Sequence, residues 1–151
     1  MIDDRPFHID EYHSGDLDEM MEIENASFTL PWTRESYEEV MALDSVVVSI
    51  ARFGPEIAGY ILTQRIGEEM ELHTFAVKPS FRKMGVGQKL LEYMISDGKA
   101  SGVTMIFLQV RPSNDEALKL YKKFGFITVG LRSGYYQDNN EDAFIMRLNV
   151  S

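Results

Sequence analysis

Phe7 to Tyr12, with apolar Phe7, Ile9 and Tyr12 among polar residues, reads as a first strand. Beyond the candidate caps Ser14 and Asp16, residues Leu17, Met20, Met21, Glu24 and Phe28 follow helical spacing until Pro31-Trp32 breaks it. Thr33 then caps a second helix whose apolar face is Tyr37, Val40 and Met41. Val46 to Phe53 is apolar and β-branched, Gly54-Pro55-Glu56 is a turn, and Ile57 to Ile66 returns, which predicts a hairpin. A further strand runs from about Met70 to Val77. A helix over Gln88–Ser101 follows, with Val86, Leu90, Leu91, Met94 and Ile95 on one stripe. Met105 to Val110 is a strand closed by Pro112. Asn114 caps a helix with the stripe Ala117, Leu120, Tyr121 and Phe124. Phe126 to Leu131 and Ala143 to Leu148 form a closing hairpin around Gly134-Tyr135-Tyr136. The predicted order is β-α-α-β-β-β-α-β-α-β-β. Strands interleaved with helices in this way predict an α/β (α+β) domain, a mixed sheet with helices on both faces.

Between the strand ending at Val77 and the following helix lies Phe81-Arg82-Lys83-Met84-Gly85-Val86-Gly87. Glycine lets the backbone approach a ligand and take positive φ. The helix that follows turns free N–H groups and a positive dipole end toward this loop, and Arg82 and Lys83 add charge. A strand, glycine loop and helix start in this order can cradle a pyrophosphate, although short glycine turns also occur as plain connections. The loop is neither a dinucleotide fingerprint nor a Walker loop, since Gly-x-Gly-x-x-Gly and a closing Gly-Lys-Ser/Thr are both missing.

Composition narrows the partners. The 15 Lys and Arg against 24 Asp and Glu give a net charge of −9, which disfavours nucleic acid and favours a basic peptide or an amine. The chain of 151 residues, with no internal repeat or linker, is expected to be a single domain over 1–151. Without cysteine there is no disulfide, thiol nucleophile or cysteine metal site, which fits a reducing cytoplasm. His8, His13 and His73 lack metal-ligand spacing, so no metal is expected. The start, Met1 to Arg5, has no apolar leader segment, and no apolar run reaches the length of a membrane span. A monomer or weak dimer is expected.

The element order and four local motifs resemble the GNAT superfamily of N-acetyltransferases. Arg82-Lys83-Met84-Gly85-Val86-Gly87 matches that superfamily's Gln/Arg-x-x-Gly-x-Gly/Ala loop. The preceding segment, Leu72 to Pro79, resembles its fourth strand. Asn114 to Phe126 matches its Asn-x-x-Ala-x-x-Leu-Tyr-x-x-x-Gly-Phe segment. Within the superfamily the chain is most similar to the RimI branch, the ribosomal-protein-alanine N-acetyltransferases. Glu24 to Phe28 with Pro31-Trp32-Thr33 resembles that branch's first loop. Arg132 to Tyr136 with Glu141-Asp142-Ala143 and Met146 resembles its closing hairpin. The similarity runs from about Phe7 to Leu148. It implies a mostly antiparallel sheet of about seven strands, acetyl-CoA as co-substrate, and a protein or peptide N-terminus as acceptor. Acetylation of a small amine or a lysine, or acyl-CoA binding without catalysis, are the alternatives.

The resemblance also implies roles. Phe75, Ala76 and Val77 would bind the thioester and pantetheine through their backbone, and Arg82, Lys83, Met84, Gly85, Val86, Gly87 and Gln88 the pyrophosphate. Asn114 would contact the cofactor, although a helix cap alone explains it. Tyr121 would be the acid for the departing thiolate; a tyrosine on an apolar stripe is otherwise core. Pro31, Trp32, Tyr135 and Tyr136 would grip the acceptor, unless they are loop packing, and the acidic Glu24, Asp138 and Glu141 would attract its basic residues.

One position departs from the branch. Its general-base glutamate, in Leu-Glu-Val-Arg, is replaced in Leu108-Gln109-Val110-Arg111 by a side chain that cannot take a proton. An α-amino group has a reference pKa near 8 and needs only a modest base. Strand alternation places Glu71, His73 and Phe75 on one face, which leaves Glu71 and His73 as candidate bases. Each also has a plain reading, an exposed strand start and a structural histidine. Gln109 could still orient a water or hold the acceptor backbone.

Overall fold

The computed structural model describes residues 4–150. The reading of residues 1–3 as lacking a leader lies outside the described residues. Seven strands, β1 (Phe7–Glu11), β2 (Val46–Phe53), β3 (Glu56–Ile66), β4 (Glu69–Val77), β5 (Met105–Val110), β6 (Ile127–Arg132) and β7 (Ala143–Asn149), form one sheet. Its order is β1-β2-β3-β4-β5-β7-β6. Only β4 and β5 pair in parallel; the other neighbours are antiparallel.

Four helices cover the sheet: α1 (Leu17–Ser27), α2 (Arg34–Met41), α3 (Val86–Ala100) and α4 (Asp115–Lys123). The Thr33 hydroxyl accepts the Ser36 N–H and the Asn114 side chain accepts the Ala117 N–H, the caps that start α2 and α4. The apolar stripes divide between the two faces. Leu90, Leu91 and Met94 of α3 and Tyr121 of α4 pack on one face with Ile61, Met70, Leu72 and Leu108. Leu17, Met20 and Ile23 of α1 and Tyr37 of α2 pack on the other with Ile50, Tyr60, Leu62 and Ala76.

Strand β4 departs from the simple alternation. Leu62 pairs with Thr74 and Thr63 with Leu72, so His73 is an extra residue in the ladder. A one-residue slip exchanges the two faces of a strand. Met70 and Leu72 face α3 before the slip, and Phe75 and Val77 face it afterwards. Glu71 and His73 therefore do not share a face with Phe75. This corrects the expectation from sequence: Phe75 lies on the α3 side and His73 on the side of α1 and α2.

Candidate active site

The parallel pairing of β4 with β5 runs from Glu69↔Met105 to Leu72↔Leu108 and stops there. Both strands continue, β4 to Val77 beside β3 and β5 to Val110 beside β7. Residues 73–77 thus have a strand on one side only, and their backbone groups on the other side face a gap in the middle of the sheet. The gap is the natural place for a bound chain, because a strand edge offers unpaired N–H and C=O groups.

The glycine loop lies on the α3 side of this gap. Gly85, at φ +80, is the residue before α3, and Lys83 also has positive φ, +64. A Cβ on Gly85 would meet nothing within 4 Å, so its backbone is open. Gly87 differs, since a Cβ there would lie 3.3 Å from Cζ of Phe75 and 3.6 Å from Cγ2 of Val77. Gly87 lets α3 settle on β4, whereas Gly85 leaves backbone bare. Arg82 and Lys83 are exposed and form no ion pair among the described residues. Of the other residues named from sequence, Gln88 has its side chain engaged by Glu92 at 3.2 Å and Lys123 at 2.7 Å. The Asn114 carbonyl is occupied by its cap. Met84 is half-buried and Val86 buried at the head of α3.

Tyr121 reaches the gap from α4. Its ring lies 6.4 Å from Phe75 and 5.7 Å from Phe126, and the residue is 6% exposed. Its hydroxyl makes no hydrogen bond among the described residues. Burial raises its pKa well above the ordinary phenol value, with a further push from nearby Tyr136. The group therefore keeps its proton at neutral pH and has no internal use for it.

Across the sheet lies a second set of side chains. Glu71 shares a pocket with Glu69, Phe107, Gln109 and Ile145. The Gln109 Oε1 is buried there without a hydrogen-bond partner among the described residues. The His73 Nε2 lies 2.8 Å from Oε1 of Gln64, whose amide nitrogen donates to Ser45 at 3.1 Å. The other ring nitrogen, Nδ1, lies 4.0 Å from Glu71. Trp32 stands over this group, 6.4 Å from the His73 ring.

Two loops close this side. Thr29, between α1 and α2, donates to Asp138, between β6 and β7. Asp138 accepts from Arg111 at 2.7 Å, and the Arg111 guanidinium sits 3.9 Å from the Tyr136 ring. Glu141 accepts from Arg111 at 3.4 Å and from the Ser113 N–H at 2.8 Å. The Thr29 hydroxyl first, and then Arg111, hold the Asp138 carboxyl below the usual carboxylate range; the Ser113 side chain leads for Glu141. Tyr135 packs edge-on against Tyr136 at 5.0 Å. The Thr29–Asp138 bond thus joins the loop of Pro31 and Trp32 to the loop of Tyr135 and Tyr136. The acidic residues expected to attract basic groups are already occupied: Asp138 and Glu141 by Arg111, and Glu24 by partners inside the fold. Arg111, the last residue of the Leu108-Gln109-Val110-Arg111 segment, ties the two loops to the end of β5, a role that the segment's sequence does not disclose.

The arrangement matches known proteins. Residues 17–126 match the acetyltransferase (GNAT) family. The ribosomal protein bS18-alanine N-acetyltransferase of Escherichia coli K12 is 31% identical over 145 residues, 95% of this chain and 97% of its own. The N-alpha-acetyltransferase RimI of Mycobacterium tuberculosis is 36% identical over 121 residues, 78% of this chain and 75% of its own. The crystal structure of the Escherichia coli ribosomal-protein-S18-alanine N-acetyltransferase aligns with a TM-score of 0.91 at 30% identity, covering 97% of this chain and 95% of that one. With its interrupted sheet, its open glycine loop and this degree of identity along the chain, the protein belongs to the acetyltransferase (GNAT) family and is an acyltransferase.

Proposed function

We propose that the chain, as one domain over residues 1–151, transfers the acetyl group of acetyl-CoA to the α-amino group of a protein or peptide. The observation that carries this reading is the gap between β4 and β5, with the Tyr121 hydroxyl, unbonded among the described residues, on its α4 side. The residues fit an acyl-CoA: open backbone at Gly85, two cations at Arg82 and Lys83 that form no ion pair among the described residues, and a bare strand edge over residues 73–77. The acceptor's amine attacks the thioester carbonyl carbon, and the β4 edge donates to the oxyanion that forms. The carbon–sulfur bond then breaks, and Tyr121 gives its proton to the thiolate. His73, beside Glu71, takes the proton that the amine must lose. The Escherichia coli relative is named for an alanine of ribosomal protein bS18 and the Mycobacterium tuberculosis one as an N-alpha-acetyltransferase, and a protein N-terminus of this kind is the acceptor class proposed here.

An acidic chain has no electrostatic attraction for nucleic acid. No helix among the described residues is long and apolar enough to cross a membrane. Acetylation is assigned to the cytoplasm, by a monomer or weak dimer. The test is acetyl-CoA turnover on peptides with varied first residues, on the same peptides blocked at the N-terminus but carrying lysine, and on small amines. Turnover confined to free α-amines supports the proposal. Turnover on blocked peptides or small amines, or CoA affinity without any turnover, overturns it.

Gly85→Val tests the cradle. A β-branched residue at φ +80 is strained, and relief of that strain moves the loop. Calorimetry should show CoA affinity reduced about tenfold or more, since left-handed strain alone is worth about 1–2 kcal/mol. Undiminished affinity in a folded variant would remove the loop from the site.

A further inference from the structure

We infer that Glu24 is a positioning residue for the acceptor cleft, acting through the backbone of Trp32; this rests on the acceptor reading given above. Glu24 lies on α1 and is 1% exposed. One carboxylate oxygen accepts from the Tyr37 hydroxyl at 2.5 Å and from the Tyr60 hydroxyl at 2.6 Å. The other accepts from the Trp32 N–H at 2.9 Å. No cation is among these partners. A buried carboxylate without a counter-charge is costly, and three converging donors are what make it tolerable. Core packing alone does not ask for it, because two tyrosine hydroxyls could be matched by a neutral group. What the second oxygen adds is a hold on the loop between α1 and α2.

That hold reaches the site in two steps. The N–H bond fixes Trp32 just before the Thr33 cap of α2. The Trp32 indole then packs 5.0 Å from Tyr37, itself bonded to Glu24, and 6.4 Å from His73 on the acceptor face of β4. Glu24 touches neither His73 nor the gap in the sheet. It sets where the aromatic wall beside His73 stands, and so how the acceptor's amine is presented.

Glu24→Gln separates this role from packing. A glutamine has one acceptor oxygen where three donors converge on two. If it keeps both tyrosine bonds, its amide nitrogen is turned on the Trp32 N–H, donor against donor. Trp32 is the chain's one tryptophan, so its fluorescence reports on the loop directly. In Glu24→Gln the acceptor KM should rise about tenfold, the effect of one lost hydrogen bond to a charged group. The KM for acetyl-CoA should hold, and acrylamide should quench Trp32 more readily. The control is Tyr60→Phe, which removes a donor and leaves the Trp32 bond. It should lower Tm and change neither KM nor quenching. In the unaltered protein, an acceptor peptide should shift the emission of Trp32, a reading that does not depend on any variant folding.

Unchanged quenching and unchanged acceptor KM in Glu24→Gln, or no response of Trp32 to a peptide that the protein turns over, would overturn the inference. If the unaltered protein turns over no peptide at all, it is the functional reading that fails, and the quenching comparison still decides whether Glu24 holds the loop.

Discussion

Tyr121→Phe is expected to lower kcat by about 10²–10⁴-fold, the span of general acid catalysis, with little change in Tm. The substitution keeps the ring, and with it the contacts to Phe75 and Phe126. Only the hydroxyl is lost, and among the described residues it bonds to nothing. A core tyrosine normally ties its hydroxyl to a partner, so removing it costs stability. Here no bond is broken, and folding should scarcely register the change. Burial, followed by Tyr136, raises the pKa of the hydroxyl, so Tyr121 is protonated throughout the neutral range, the form from which a proton can pass to the thiolate. Steady-state kinetics with saturating acetyl-CoA, beside thermal melts, measure both quantities. A rate that holds, or one that falls only in step with Tm, would return Tyr121 to the core. Because the acid serves the leaving group and not binding, the KM for acetyl-CoA should stay close to that of the unaltered protein.

Much of this site can be read from local sequence, because local chemistry makes it. Thr33 and Asn114 cap the helices they precede. Gly85 takes the positive φ that a strand-to-helix cradle uses. Tyr121 falls on the buried stripe of an amphipathic helix whose position follows from its cap. Other features escape local reading for a physical reason. The extra residue at His73 leaves the burial alternation of β4 unbroken, because both faces of that strand are covered: Met70 and Leu72 are buried on one side, Thr74 and Ala76 on the other. A period of two therefore passes through the slip without a mark, and Phe75 is placed on the wrong face. The contacts that shape the cleft also join distant parts of the chain. Thr29 meets Asp138 across 109 positions and Tyr60 meets Glu24 across 36. Glu24, Asp138 and Glu141 look like free acidic residues in sequence, and only tertiary structure supplies the tyrosines, the arginine and the backbone N–H groups that occupy them.

His73→Gln is expected to reduce kcat/KM for the acceptor by about 10²–10⁴-fold, the usual effect of losing a general base. Gln109 stands where the resemblance to the RimI branch implies a glutamate, and its Oε1 lies buried and, among the described residues, unpartnered in the pocket that Glu71 shares. It can accept a hydrogen bond but not a proton. His73 has the geometry to do so. The Gln64 amide, turned by its bond to Ser45, presents Oε1 to Nε2 of His73 at 2.8 Å. Nε2 then carries the hydrogen, and the lone pair is left on Nδ1, which faces Glu71 at 4.0 Å. Glu71→Gln leaves the imidazole in place, 4.0 Å from the altered side chain, and should have a smaller effect than His73→Gln. Gln109→Glu puts a carboxylate in this pocket. It should help His73→Gln far more than the unaltered enzyme, since only there is base duty vacant. Rates of these variants on one peptide decide the assignment. A full rate in His73→Gln with a deep loss in Glu71→Gln would give the role to Glu71, and a flat response in both would leave deprotonation of the α-amine to solvent.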